Sequence, residues 1–554
     1  MAVARGDRPA ELVLKGGRVF SVFTREWLEV DVAVVDGHVV GLGSYDGEEV
    51  VDARGAHVVP GFIDAHVHLE SSKLMPDQLA RAVVPRGTTT VVADPHEIAN
   101  VLGVRGVRWL LDAVDDLPLD VFVMAPSCVP ASPFESPQGP LTAEQIADLL
   151  EHSRVIGIAE LMNYPGVVAG EAAELAKLKT ADHVDGHAPG LRGRALNAYA
   201  AAGIRSDHEA TSAEEALEKR RAGMWIMLRE ASIARNLADL LPLVRDHGPD
   251  RCMLCTDDRE PDFLVDEGHI DQMLRKAVAA GTRVEDALVM ATLNPASYHR
   301  LWRLGGIAPG YQADLVLLED LVEFRVRSVL KRGAEPAYPE IPVPEWVRTT
   351  VNTAPVSAAS FRVPALQQQI RVIGVVPMQL LTTAERRSPT VRDGETVADP
   401  ARDLVKIAVV ERHHASGRVG VAFATNVGLR RGAYASTVAH DAHNIVVLGV
   451  DDEDMAVCVR RLAELGGGIV VAEGGQVVDE LPLPVAGLMS DRPLDEVHRT
   501  LERLEGRLRE LGVAGAAPFM TLSFLALSVI PELKITDRGL VDVGRFQLAP
   551  LAAP

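Results

Sequence analysis

With 554 residues and a formal net charge of −21, the chain is long enough for roughly two to four domains and has the wrong sign for a nucleic-acid backbone or an anionic membrane as partner. Its four cysteines, Cys128, Cys252, Cys255 and Cys458, are too few for a disulfide framework, so the expected compartment is the reducing cytoplasm. The opening "MAVARGDRPAELVLKGG" has no apolar leader core, and the apolar run "FMTLSFLALSVI" (Phe519–Ile530) is too short to span a bilayer and reads as a buried segment.

In chain order, residues from about 10 to 58 alternate short apolar runs with Gly and Asp turns, the texture of a small β unit. That texture returns at Gly305–Gly333, "GGIAPGYQADLVLLEDLVEFRVRSVLKRG". Two β pieces around a long middle predict one discontinuous β-sandwich domain, residues 1–59 plus 303–350, closed by both ends of an insertion. The middle, 60–302, offers eight strand candidates: "GFIDAHVH", "TTTVVADPHE", "DVFVMAPS", "VIGIAELMN", "ADHVDGHAP", "GIRSDHEA", "MWIMLREAS" and "RCMLCTDD". Helical patterns such as "EEALEKRRAG" and "GHIDQMLRKAVAAG" separate most of them. Eight such units are the arithmetic of a TIM-type (β/α)8 barrel, and no Gly-x-Gly-x-x-Gly supports a doubly wound sheet instead. After a Pro- and Glu-rich linker at 335–355, residues 355–554 mix β-like runs ("KIAVVERH", "NIVVLGV", "GIVVAEGGQVV") with two helices, which predicts a C-terminal α/β domain.

The strand candidates end alike, in polar residues able to do chemistry, and in such barrels the site is built at the C-terminal strand ends. In "GFIDAHVHLESS", His66 and His68 are two apart on a strand and so share a face. Adding Glu160, His187, His208 and Asp257 makes four imidazoles and two carboxylates around one mouth. That set suits Mn²⁺, Fe²⁺ or Zn²⁺ rather than Ca²⁺ or Mg²⁺, and it is too large for one open tetrahedral ion. Two metals bridged by Glu160 fit it, with hydroxide held between them and Asp257 moving its proton to the leaving group. His183 competes with His187, and Asp258 with Asp257. His208 could instead cap a helix, although Asp207 is the better cap. "CMLC" cannot chelate one ion from a strand, where i and i+3 face opposite sides, so Cys252 and Cys255 read as buried apolar residues. The absence of proline before Cys252 also argues against the zinc nucleobase deaminases, whose first motif half His68 and Glu70 would fit.

"PGFIDAHVHLESS", "TDD" at the eighth strand and the flanking β pieces resemble the amidohydrolase superfamily. "GTTTVVADPHEIANVLG", "IAELMNYPGV", "DGHAPGL", "IRSDHEAT" and "LCTDDREPDFLVDEGHID" narrow the resemblance to the bacterial adenine deaminases. So do "RGAYASTVAHDAHNIVVLGV", "LPLPVAGLMSD" and "PFMTLSFLALSVIPELKITD" in the C-terminal region. The resemblance implies a metal-dependent hydrolase that turns adenine and water into hypoxanthine and ammonia in purine salvage. It also implies a centre of two Mn²⁺ or Fe²⁺ ions, Zn²⁺ being less favoured. Many relatives bridge their metals with a carbamylated lysine, where "VIGIAELMNY" has Glu160. The ring-nitrogen acid is expected among Glu70, Glu97, Glu209 and Glu230, with Glu70 the choice for catalysis and Glu97, Glu209, Glu230 and Asp258 for substrate binding. The expected partner is a small molecule, with no nucleic acid or membrane, and the assembly a homo-oligomer. A hydantoinase-like cyclic-amide hydrolase or a non-catalytic scaffold are the rivals. "VAHDAHNIVVLG", with His440, Asp441 and His443, is either an element reaching over the barrel mouth or a polar turn at a domain interface.

Overall fold

The computed structural model describes residues 1–553. All eight middle strands form: β1 Phe62–Val67, β2 Thr88–Ala93, β3 Asp120–Ala125, β4 Val155–Leu161, β5 Val184–Gly186, β6 Ser206–Asp207, β7 Trp225–Arg229 and β8 Cys252–Cys255. They pair in parallel and in chain order, β1 to β5 in one run and β6 to β8 in another. Two seams close the ring. The Arg205 amide donates to the Val184 carbonyl at 3.1 Å, and the Asp257 amide donates to the His66 carbonyl at 3.0 Å. The molecule is therefore an α/β barrel of the expected type. Strands in such a barrel are covered on both faces, which is why β2 is buried throughout despite its three threonines and β3 is apolar after Asp120. Ile63, Val92, Met124 and Ala159, one from each of β1–β4, pack together with Leu301 and Leu304. Ala65, Met227, Met253 and Cys255 pack around Tyr298.

The chain enters and leaves the barrel through one sheet. The strand His57–Pro60 pairs antiparallel with Leu315–Leu318, Pro60 opposite Leu315, and Val326–Leu330 extends that sheet. A second sheet holds Ala10–Lys15, Asp31–Val35, His38–Gly43 and Gly47–Asp52. Leu12, Leu14, Val32, Val58, Leu315 and Leu317 share one apolar cluster drawn from both sheets.

Beyond the linker, an eight-stranded sheet runs from Thr382–Arg387 at one edge to Gln476–Pro482 at the other. Its last two strands are a hairpin whose turn is Gly474–Gly475, at φ +64 and +77, the left-handed region that two-residue hairpin turns require. The helix Asp452–Leu465 starts where the Asp451 carboxylate accepts from the Glu453 and Asp454 amides, and it covers one sheet face. The helix Leu494–Leu511 buries Val497, Leu501, Leu504, Leu508 and Leu511, a stripe at helical spacing. It packs against the barrel's Pro261–Asp266 helix and so seats the C-terminal region on the barrel. Phe519–Ile530 is buried apart from a few partly covered positions, and no helix among the described residues is long and apolar enough to cross a membrane.

Candidate active site

The strand ends converge. On β1 the pairing register with β2 shifts between Asp64 and Val67; His66 lies within that shift and His68 just after it, both almost wholly buried. The His68 Nδ1 donates to the Asp94 carbonyl at 2.9 Å, so a neutral ring presents its Nε2 lone pair. That lone pair faces Asp257 Oδ1 at 3.1 Å and Glu160 Oε1 at 3.4 Å. A lone pair against two buried carboxylate oxygens is repulsive unless a cation lies between them. His66 Nε2 is buried without a hydrogen-bond partner, 3.6 Å from Asp257 Oδ1, and its ring stacks on His208 at 4.4 Å. Two ligands about 2.1 Å from one ion at the tetrahedral angle stand roughly 3.4 Å apart, so these spacings fit a divalent ion.

Glu160, at the end of β4, divides its oxygens. Oε1 faces His68, whereas Oε2 lies 2.7 Å from His187 Nδ1 and 3.2 Å from His208 Nε2. One carboxylate thus touches two separate groups of imidazoles. Burial alone would raise its pKa, but His187 and His208 hold it well below the usual carboxylate range. Asp257 is held low in the same way: burial opposes, and the Arg229 guanidinium together with His66, His68 and His208 outweighs it. Arg229, from the end of β7, donates to Asp257 Oδ2 at 2.7 Å and pairs with Glu209 on its other side. Asp257 has φ +57, a left-handed conformation that Asp tolerates better than most residues.

The remaining acids separate by partner. Glu70 accepts from the Ile98 amide at 3.1 Å, and burial and then the charge of Glu97 push it up to about 8. The Ser71 hydroxyl lies 2.6 Å from Glu97 Oε1 and also bonds Asp258. One hydroxyl proton serves one acceptor, so one of these two carboxyls must carry a proton of its own. Burial raises the Glu97 carboxyl from its ordinary value. Glu209 pairs with Arg229 and also lies 3.5 Å from His208 Nε2 and 3.7 Å from His187 Nδ1, whereas Glu230 pairs with Lys276.

The competing residues part company. His183 and His187 flank β5 at opposite ends, roughly 13 Å apart at strand rise. His183 bonds His299 at 3.1 Å and lies against Tyr298, whereas His187 reaches Glu160. Neither Asp207 nor His208 caps the next helix. Ser212 does, and Asp207 instead accepts from the Ala188 and Ala210 amides and from Lys219. Cys252 and Cys255 are free and buried. Sequence reasoning left His96 and Arg229 outside the candidate set, although "DPHE" directly after an apolar strand was a usable signal for His96. His96 Nδ1 bonds Asp94 at 3.0 Å and lies 3.7 Å from Glu160 Oε1. Segment 437–444 of the C-terminal region also comes to the barrel mouth, with His440 Nε2 3.7 Å from Asp258 and Asp441 Oδ1 3.5 Å from His96.

The amidohydrolase family model matches residues 57–336, and the adenine deaminase C-terminal domain matches 379–547. Adenine deaminase 2 of Carboxydothermus hydrogenoformans is 48% identical over 99% of this chain and 98% of its own length. The adenine deaminase of Desulfatibacillum aliphaticivorans is 46% identical over 100% of this chain and 99% of its own, and that of Archaeoglobus fulgidus 47% over 100% and 97%. With a divalent-metal arrangement at the strand ends and full-length likeness of this kind, the chain belongs to the amidohydrolase family and, within it, to the adenine deaminases.

Proposed function

We propose that this protein hydrolyses adenine to hypoxanthine and ammonia. The observation that carries the reading is Glu160, one buried carboxylate facing His68 with one oxygen and His187 and His208 with the other, beside an Asp257 aligned by Arg229. His66, His68, Asp257 and Glu160 would hold one divalent ion, and His187, His208 and Glu160 a second. Mn²⁺ or Fe²⁺ is the favoured metal for this mixed imidazole and carboxylate set. When bound, such a pair makes water a nucleophile at neutral pH and polarises the bond under attack.

The protein's own groups handle the protons. Asp257 takes a proton from the attacking water as its oxygen bonds C6, then gives it to the exocyclic nitrogen, which leaves as ammonia. Glu70, whose burial favours the protonated form at neutral pH, gives its proton to ring nitrogen N1 and recovers one from the new hydroxyl as the carbon–nitrogen bond breaks. Ser71, Glu97 and Asp258 form a buried donor and acceptor row suited to the purine edge. Purine salvage in the cytoplasm is the setting that the family resemblance supports.

The test is to load the reduced apoprotein with Mn²⁺, add adenine, and follow the ultraviolet shift to hypoxanthine together with ammonia release. Stoichiometric conversion is expected. Intact adenine in the presence of two bound metals would discard the substrate and send the search to other aminopurines. In the same preparation Glu160→Gln should hold at least one metal per chain fewer than the parent, and an unchanged metal count would remove the bridge.

A further inference from the structure

Segment 437–444 brings polar atoms to the barrel that the deamination chemistry leaves unused. It joins the strands Ala433–Ser436 and Ile445–Gly449 and is tied down before it reaches the barrel. The His440 amide donates to Ser523 at 3.2 Å, Asn444 donates to the Ser136 carbonyl at 3.0 Å, and Arg412 donates to the His443 carbonyl. His440 is stacked flat on Phe524, with ring centres 4.4 Å apart. The segment therefore presents a fixed set of donor atoms.

Two of them converge with His96 of the barrel. His96 gives its Nδ1 proton to Asp94 Oδ2 at 3.0 Å, which leaves the Nε2 lone pair aimed at Asp441 Oδ1, 3.5 Å away and without a hydrogen bond. His440 Nδ1 is hydrogen-bonded to Asp441 Oδ1 at 3.2 Å, and a cation at this point would replace that proton and take up the Nδ1 lone pair, leaving the proton on Nε2, which has no other partner and faces the Asp258 carboxylate at 3.7 Å. Asp441 Oδ2 has no hydrogen-bond partner, and Asp441 is 1% exposed. Two imidazole nitrogens and a carboxylate thus meet in a buried place, with His96 backed by its hydrogen bond to Asp94. That backing is how ligating histidines are held, because it fixes the tautomer and raises ring basicity. His443 does not join them: its Nδ1 accepts from the Ala439 amide at 3.2 Å, so its Nε2 carries the proton.

We propose that His96, His440 and Asp441 form a further divalent-metal site, distinct from the Glu160 centre, that fastens the C-terminal region to the barrel mouth. Two nitrogens and a carboxylate suit Mn²⁺, Fe²⁺ or Zn²⁺, with a coordination position left open. The three groups come from sequence positions far apart, His96 just after β2 and the other two from the C-terminal sheet, so the site exists only when the two regions are docked. This inference rests on the deaminase reading only for the count of metals that it adds to.

The test is elemental analysis of the full chain, stripped by chelator, saturated with Mn²⁺ and freed of excess metal. Three ions per chain are expected in the parent and two in Asp441→Asn, with unchanged circular dichroism. His440→Gln should also hold two, and it carries the count should Asp441→Asn not fold. Two ions in the parent, or three in a folded Asp441→Asn or His440→Gln, would overturn the site. Hypoxanthine formation is scored separately. Two ions with full deamination removes this site and leaves the barrel reading intact, whereas three ions with intact adenine does the reverse.

Discussion

Asp257 uses its two oxygens differently: Oδ1 is turned to His66 and His68, and Oδ2 is held by Arg229. Its proton shuttle therefore depends on Oδ2 being occupied. Asp257→Asn keeps the shape but cannot take a proton, so metals should stay bound while turnover falls by at least about 10²-fold, the usual worth of general acid–base catalysis. Normal turnover in a metal-replete Asp257→Asn would remove it from the mechanism. Arg229→Met should lower kcat by a similar factor, about 10²-fold, with little change in KM, because it frees Asp257 to rotate without touching the purine edge. It should also cost roughly 3–5 kcal/mol of stability in a urea titration, since Glu209 and Asp257 lose their buried counter-charge. A KM change with unaltered kcat would place Arg229 at the substrate instead. At this scale the histidines were legible because four imidazoles and two carboxylates fall at the ends of apolar runs, whereas His-x-His alone is a weak signal. The partner of each acid was not: nothing in "GIRSDHEA" tells that Glu209 answers Arg229 one strand over.

Elements position these residues, and some carry their own electrostatic cost. On the helix Pro261–Asp266, Asp262 is pushed up to about 7 by burial and then by Glu260 and Glu505, the latter from the docked helix Leu494–Leu511. A carboxyl whose folded pKa is raised holds its proton in the native state after the unfolded chain has released it. Stability is thus full below the unfolded value of 3.8 and declines as pH rises to about 7. Asp262→Asn should remove that decline, melting higher than the parent at pH 8 and level with it near pH 4, with a gain of about 2 kcal/mol or more at the alkaline end. Parallel melting curves across the range would sink the idea. The eight barrel strands were readable because buried parallel strands are short apolar runs between helical patterns. The shift of register in β1 around His66 was not readable, since it depends on β2.

For the whole molecule, a site built from residues on β1, β4, β5, β6 and β8 closes the barrel across its mouth, so bound metal should stabilise the fold. An ion at 100 times its dissociation constant contributes about 2.7 kcal/mol per independent site. Chelated protein is expected to melt several degrees lower and to recover when Mn²⁺ is restored, whereas an unchanged Tm would mean that the site does not hold metal in the native state. The amino-acid sequence by itself determined the barrel, the two β pieces that flank it, and the residue types at the strand ends, because these follow from local periodicity and from side-chain chemistry. Only the tertiary structure decided which oxygen of Glu160 meets which histidine, that His183 lies at the far end of β5 from His187, and that His440 and Asp441 come within reach of His96. Those distances are set by strand stagger and by the docking of the helix Leu494–Leu511, which join segments hundreds of residues apart that no local pattern links.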